Sequence, residues 1–412
     1  MPAQPHAASS AARPSGGIPR LRPVSVPLLS YGFRPFFLGA ALWACVAMVL
    51  WVGLLSGLVQ FAADYGGVAW HAHEFLFGYV SAVMTGFLLT AIPNWTGRLP
   101  LQGRPLAGLV TLWLCGRAAM LMSDRIGIVP AALIDSSYLF ILTAAVLREI
   151  VTGRNWRNLK VVGLTGLVAL ANVAFHAEAI FSGAPALGIR IGTGAIVGLI
   201  VLIGGRITPS FTSSWLSRQG DTTRPRPLGR FDMLSIAVMA LALIAWVAAP
   251  QEDYSGFALI AAGVLQAIRL FRWAGVRTWS EPIVFILHVG YAFVPLGAFM
   301  LALSILWPDL LPQTGALHAW TTGAIGVMTL AVMTRATRGH TGRAIVSDAA
   351  TNLIYTAILA AVAARVTAAF LPEYSNGLLY ASAASWLVAF GTFVGSYGPM
   401  LIKVRQSDRQ GC

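Results

Sequence analysis

Trp70-His71-Ala72-His73-Glu74-Phe75-Leu76-Phe77-Gly78-Tyr79-Val80-Ser81-Ala82-Val83-Met84-Thr85-Gly86-Phe87-Leu88-Leu89-Thr90-Ala91-Ile92 opens on two histidines and a glutamate, then runs to its end without another charged side chain. Its length meets the ~20 residues a helix needs to cross hydrocarbon. A helix satisfies its own backbone polar groups in lipid, and the run is too long for a barrel strand. The segment therefore reads as a transmembrane helix with polar residues at one end.

Eleven further runs of this kind flank it: Phe36 to Gln60, Leu106 to Met122, Val129 to Val151, Leu159 to Phe181, Ala186 to Gly205, Asp232 to Ala249, Ser255 to Phe271, Glu281 to Leu306, Thr314 to Thr334, Asp348 to Phe370 and Gly377 to Ile402. The chain of 412 residues is 57% hydrophobic and only 10% charged, far below the quarter or so found in soluble domains. The expected fold is all-α: a polytopic membrane protein of about twelve transmembrane helices. Residues 1–30, rich in Pro, Ala and Ser, read as a flexible cytoplasmic tail, residues 31–403 as the membrane domain and residues 404–412 as a C-terminal tail. Cys45, Cys115 and Cys412 offer neither a disulfide framework nor a Cys-x-x-Cys-His haem attachment, so any haem is expected to be non-covalent and b-type.

The net charge of +13 is not a nucleic-acid signature, because the basic residues gather in every second connection. Arg34 precedes the first run, Arg98 and Arg104 follow the second, and Arg269, Arg272 and Arg277 follow the eighth. Arg335, Arg338 and Arg343 follow the tenth, whereas the intervening connections carry mainly acids such as Asp64, Asp124, Glu252 and Glu373. The positive-inside rule then predicts both termini in the cytoplasm.

That topology assigns each histidine a depth. His71, His73, His176 and His318 fall in the outer half, His288 and His340 on the inner side, and His6 in the tail. Intramembrane ionisable residues are costly and mark functional sites, and imidazole is the commonest metal ligand. Residues two apart on a helix differ by about 200° in azimuth, so His71 and His73 are expected to face opposite ways and serve two neighbouring centres. Glu74 and Glu178 stand close enough in sequence to orient a histidine, bind metal or relay protons. Three arginines, Arg117, Arg190 and Arg365, lie in outer parts of helices and each demands an anion. Local acids satisfy that demand in the plainer reading; haem propionates satisfy it in the other, expected here for at least one of the three.

Plainer readings apply elsewhere. A single histidine in a bundle is as readily an interhelical hydrogen-bond partner, and Trp51, Trp70, Tyr254, Trp307 and Tyr374 suit an interfacial belt. It is the number of histidines, and the depth shared by four of them, that favours metal or proton chemistry.

Several motifs together resemble the NnrS family: Tyr31-Gly32-Phe33-Arg34-Pro35-Phe36-Phe37, Trp70-His71-Ala72-His73-Glu74, Gly86 to Gly97, Gly204-Gly205-Arg206, His318 with Gly323-Ala324-Ile325-Gly326, and Gly339-His340-Thr341-Gly342-Arg343. The resemblance runs from about Tyr31 to the end of the twelfth run. It implies a bacterial inner-membrane protein containing haem and copper and linked to nitric oxide metabolism or nitrosative-stress resistance, often beside denitrification. It also implies His71, His73, His176, His288, His318 and His340 as the ligand histidines, without dividing them between haem and copper.

The leading expectation is a haem- and copper-binding protein that binds nitric oxide and, if it is an enzyme, reduces it with electrons from a separate donor and with Glu74 as proton relay. A twelve-helix secondary transporter is the alternative, although such a transporter is expected to repeat in halves and the second run's histidines have no counterpart in the eighth. A non-catalytic metal-bearing sensor or assembly factor is the third reading.

Overall fold

The computed structural model describes residues 26–404. The expected N-terminal tail, apart from its last residues, and nearly all of the C-terminal tail lie outside that range, with His6 and Cys412. Among the described residues eleven helical segments are long and apolar enough to cross a membrane. The remaining expected run is an 18-residue helix carrying Arg104 and Arg117, which make it less apolar than the rest.

The helices fall into three consecutive sets of four. The first is α1 (Phe33–Leu55), α2 (Gly67–Thr96), α3 (Arg104–Leu121) and α4 (Ile128–Thr152). The second is α5 (Leu159–Phe181), α6 (Ala186–Arg218), α7 (Arg230–Ala248) and α8 (Asp253–Phe271). The third is α9 (Pro282–Leu306), α10 (Gln313–His340), α11 (Ala349–Phe370) and α12 (Ser375–Ile402).

Packing repeats with this period of four. The first helix of each set lies on the second (α1 on α2, α5 on α6, α9 on α10), and the third pairs with the fourth (α3–α4, α7–α8, α11–α12). The fourth then meets the first helix of the next set, α4 on α5, α8 on α9 and α12 back on α1, which closes a ring. The second helices form the centre. Their apolar windows are 83%, 61% and 67% buried for α2, α6 and α10, against 33–50% for the other eight apolar segments. A repeat does exist, but as three sets rather than two halves: the counterparts of α2 are α6 and α10, not α8.

Each central helix widens into a π-helical stretch: Glu74–Val80 in α2, Ile200–Gly204 in α6 and Ala319–Val327 in α10. Two of these begin on the residue after a histidine, His73 and His318. π-turns inside α-helices recur at functional sites because they displace side chains and release carbonyls from the regular ladder. In α2 the released Gly78 carbonyl accepts from Trp113 Nε1 at 3.0 Å.

Several arginines that the sequence reading counts as loop charges are interior. Arg269 is fully buried, donating to Asp232 Oδ1 at 3.1 Å, to the Val201 carbonyl in the α6 π-stretch at 3.1 Å and to Tyr291 Oη at 2.9 Å. Arg338 reaches Tyr397 and Asp348. These residues therefore report packing as much as sidedness. Arg34 closes the ring: its Nη1 donates to the carbonyls of Leu401 and Lys403, at 2.8 and 2.7 Å, at the C-terminal end of α12. Charged donors suit that end of a helix, where carbonyls lack intrahelical partners. Arg34→Ala is expected to cost about 2–4 kcal/mol, since two charge-assisted bonds to partly buried carbonyls are lost. Thermal unfolding of the detergent-solubilised variant checks this, with Arg34→Lys recovering only part of the loss.

Candidate functional site

His71 and His73, two residues apart near the start of α2, point into different surroundings. His73 enters a fully buried polar cluster between α2, α3, α4 and α5. His71 lines a cavity on the other side of α2, with residues of α1, α10, α11 and α12. The azimuthal difference expected of a helix is thus present.

In the cluster, His73 Nε2 lies 3.1 Å from Asp135 Oδ2 and 2.9 Å from Asn172 Oδ1, and His176 Nε2 lies 3.1 Å from the same Asp135 oxygen. The candidate ligand atoms of His73, Asp135 and His176 all fall within 4.8 Å of one another. Each outer nitrogen has an orienting partner: Glu74 Oε1 at 2.9 Å from His73 Nδ1, and Tyr65 Oη at 3.0 Å from His176 Nδ1. Burial, with Asp135, Asp64 and Glu74 nearby, pushes the Tyr65 phenol up, so it stays neutral. Such outer partners fix a ligating ring's tautomer and direction.

Asp135 is itself held. Asn172 Nδ2 donates to Oδ2 at 2.7 Å, and the Arg117 guanidinium bridges Asp135 Oδ1 to Glu74 Oε2. Gly78 makes room for that bridge, because a Cβ there would lie 2.4 Å from Arg117 Nη1 and 2.9 Å from Glu74 Oε2. With neutral histidines, Glu74 and Asp135 against Arg117 leave a formal charge of −1 in a site shut off from water. Both nitrogens of His73 also face acceptors. One more positive charge balances the cluster, carried as a proton on one of its imidazoles or carboxylates or as a cation seated between the two Nε2 atoms and Asp135.

The cavity beside His71 has a volume of about 310 Å³ and is mainly apolar, with Trp51, Phe75, Tyr79 and Trp386 among its walls. The His71 ring stacks on Trp51 with centroids 4.4 Å apart, and its Nδ1 is buried without a hydrogen-bond partner. His318 and Arg365 line the same space. His318 Nδ1 donates to the Thr314 carbonyl at 2.6 Å, which leaves the Nε2 lone pair unused by protein. The Thr193 hydroxyl, also in the wall, is buried without a partner. Aromatic faces, two imidazoles from different helices, a guanidinium and orphaned polar atoms fit a flat, largely apolar group with axial and anionic functions.

The other expected residues divide between the closed cluster and other parts of the fold. Arg117 finds its anion in Glu74 and Asp135, the local-acid reading, and Arg190 donates to the Val247 carbonyl at 3.3 Å. Glu178 accepts from the amides of Leu187 and Gly188 at the start of α6. His288 Nε2 lies 2.7 Å from Thr212 Oγ1, its Nδ1 is buried and unpartnered, and the ring sits against Gly275. His340 lies at the far end of α10, beside Phe33. Neither inner histidine joins the outer four. Asp135, Asn172 and Tyr65, absent from the sequence-based set, complete the cluster. A carboxylate inside an apolar run is a signal of its own, and Asn172 stands four residues before His176 on one helical face.

Comparison with curated proteins gives no match. The model of the family described as NnrS protein matches residues 27–405, the whole membrane domain including every residue of both sites. The chain belongs to the NnrS family.

Proposed function

We propose that the chain holds haem and copper within the membrane and uses them to bind nitric oxide and reduce it to nitrous oxide. The observation that carries this reading is the separation of two donor sets by one helix: His71, His318 and Arg365 on an apolar cavity, and His73, His176 and Asp135 in a closed anionic cluster. The first set would hold haem through the imidazoles of His71 and His318, with the Arg365 guanidinium for an acidic side group. The second would hold copper, although two imidazoles and a carboxylate also suit ferrous iron, and metal analysis distinguishes them. When bound, the two groups supply one-electron chemistry and nitric oxide ligation.

The chain's own residues then orient ligands and hold protons. Glu74 Oε1 accepts from His73 Nδ1 while its other oxygen is paired with Arg117, so Glu74 stands ready to receive a proton at the end facing His73. The protein is a multi-pass membrane protein of this family. Its placement in the bacterial inner membrane with cytoplasmic termini, and an electron donor from outside the chain, belong to the proposal.

Purified protein is expected to show a Soret band and a stoichiometric second metal, and absence of both would overturn the reading. Steady-state consumption of nitric oxide with a reductant identifies an enzyme, whereas binding without turnover identifies a sensor or assembly factor. Substrate flux without bound metal would identify a transporter.

A further inference from the structure

A second cavity, of about 410 Å³, lies at the opposite ends of the same central helices. Its walls come from α1 (Phe37), α2 (Phe87 and Trp95), α6 (Phe211) and α10 (Arg335 and His340), with further residues between them. Neither donor set described above reaches it.

Arg335 is the unusual member. It is 93% buried by its 7% exposure, yet forms no ion pair among the described residues, and its Nη1 is buried with no hydrogen-bond partner. The guanidinium carbon lies 3.8 Å from the centroid of the Phe211 ring. Stacking on an aromatic face offsets part of a buried cation's cost but does not neutralise it. The other buried arginines differ: Arg117, Arg269 and Arg338 each have a carboxylate, and Arg34 donates to two main-chain carbonyls. A buried guanidinium with an unused N–H, facing a mainly apolar cavity, calls for a carboxylate or phosphate oxygen attached to an apolar body.

We propose that this cavity is a second ligand site, for an amphipathic molecule whose apolar part lies among Phe37, Phe87, Trp95 and Phe211 and whose carboxylate or phosphate pairs with Arg335. Two sources carry that chemistry, a porphyrin through its propionates and an anionic lipid through its head group. The site stands apart from the His71 cavity and does not depend on what that cavity holds.

The test compares the full-length wild type with Arg335→Gln and Arg335→Lys, purified identically in detergent, by haem assay and native mass spectrometry, and in nanodiscs by retention of dioleoylphosphatidylglycerol against the phosphatidylcholine analogue. Losing the charge-assisted pair is expected to lower occupancy at least about tenfold in Arg335→Gln, and less in Arg335→Lys. A fall of about one haem per chain, with the His71-dependent absorption unchanged, identifies the porphyrin. Unchanged haem with loss of retained phosphatidylglycerol identifies the lipid. Ala336→Phe fills the cavity from its wall while leaving Arg335 in place, and serves if Arg335→Gln does not fold; the same ligand should be excluded. Wild-type levels of both haem and phosphatidylglycerol in a folded variant of either kind would overturn the proposal.

Discussion

Asp135→Asn is expected to empty the closed cluster of metal, lowering the second metal from about one per chain to below about a tenth, with the Soret band retained. Three effects act together. The substitution removes the one carboxylate within reach of both His73 and His176 Nε2. It cancels the cluster's formal −1, so a cation no longer balances the site. It also takes away one of the two acids that pair with Arg117. Breaking a buried ion pair costs about 3–5 kcal/mol when one charge is left alone; Glu74 still pairs with Arg117 in the variant, so the lower end is expected. Metal analysis and thermal unfolding of the same preparation check both parts.

His318→Ala is expected to abolish the Soret band while leaving the second metal in place. His318 belongs to α10, and the closed cluster is built from α2, α3, α4 and α5 together with Tyr65, so the substitution does not reach it. The stability effect should be small, because the ring hydrogen-bonds to the Thr314 carbonyl one turn earlier in the same helix. Losing both signals would show that the two sets hold one centre. Retaining the Soret band would remove His318 from the haem site.

Much of this was legible in sequence because lipid imposes simple rules. Run length and the scarcity of charge place most helix ends within a few residues, but α6 runs on to Arg218 and α10 to His340, past the expected Gly205 and Thr334; a separation of two residues, about 200° of azimuth, sends His71 and His73 to different sides whatever their neighbours are. Asp135 is harder, since its partners come from α2, α3 and α5, 62 and 18 residues before it and 37 and 41 after. Arg117 illustrates the same difficulty: its need for an anion is plain from the sequence, but the identity of that anion is set by the packing of α3 on α4. The threefold repeat left no trace because the three sets share packing and not residues; where α2 and α10 place histidines at the start of their π-stretches, α6 has Leu199. The buried arginines Arg269, Arg335 and Arg338 sit at helix ends, where topology and structural pairing call for the same residue type.

One helix serves two centres from opposite sides of a single turn. Optical spectra and metal content of His71→Ala and His73→Ala, purified side by side, test it most directly. The account predicts that His71→Ala loses the Soret band and keeps the second metal, and that His73→Ala loses the second metal and keeps the Soret band. The same loss in both variants, or no loss in either, would contradict it.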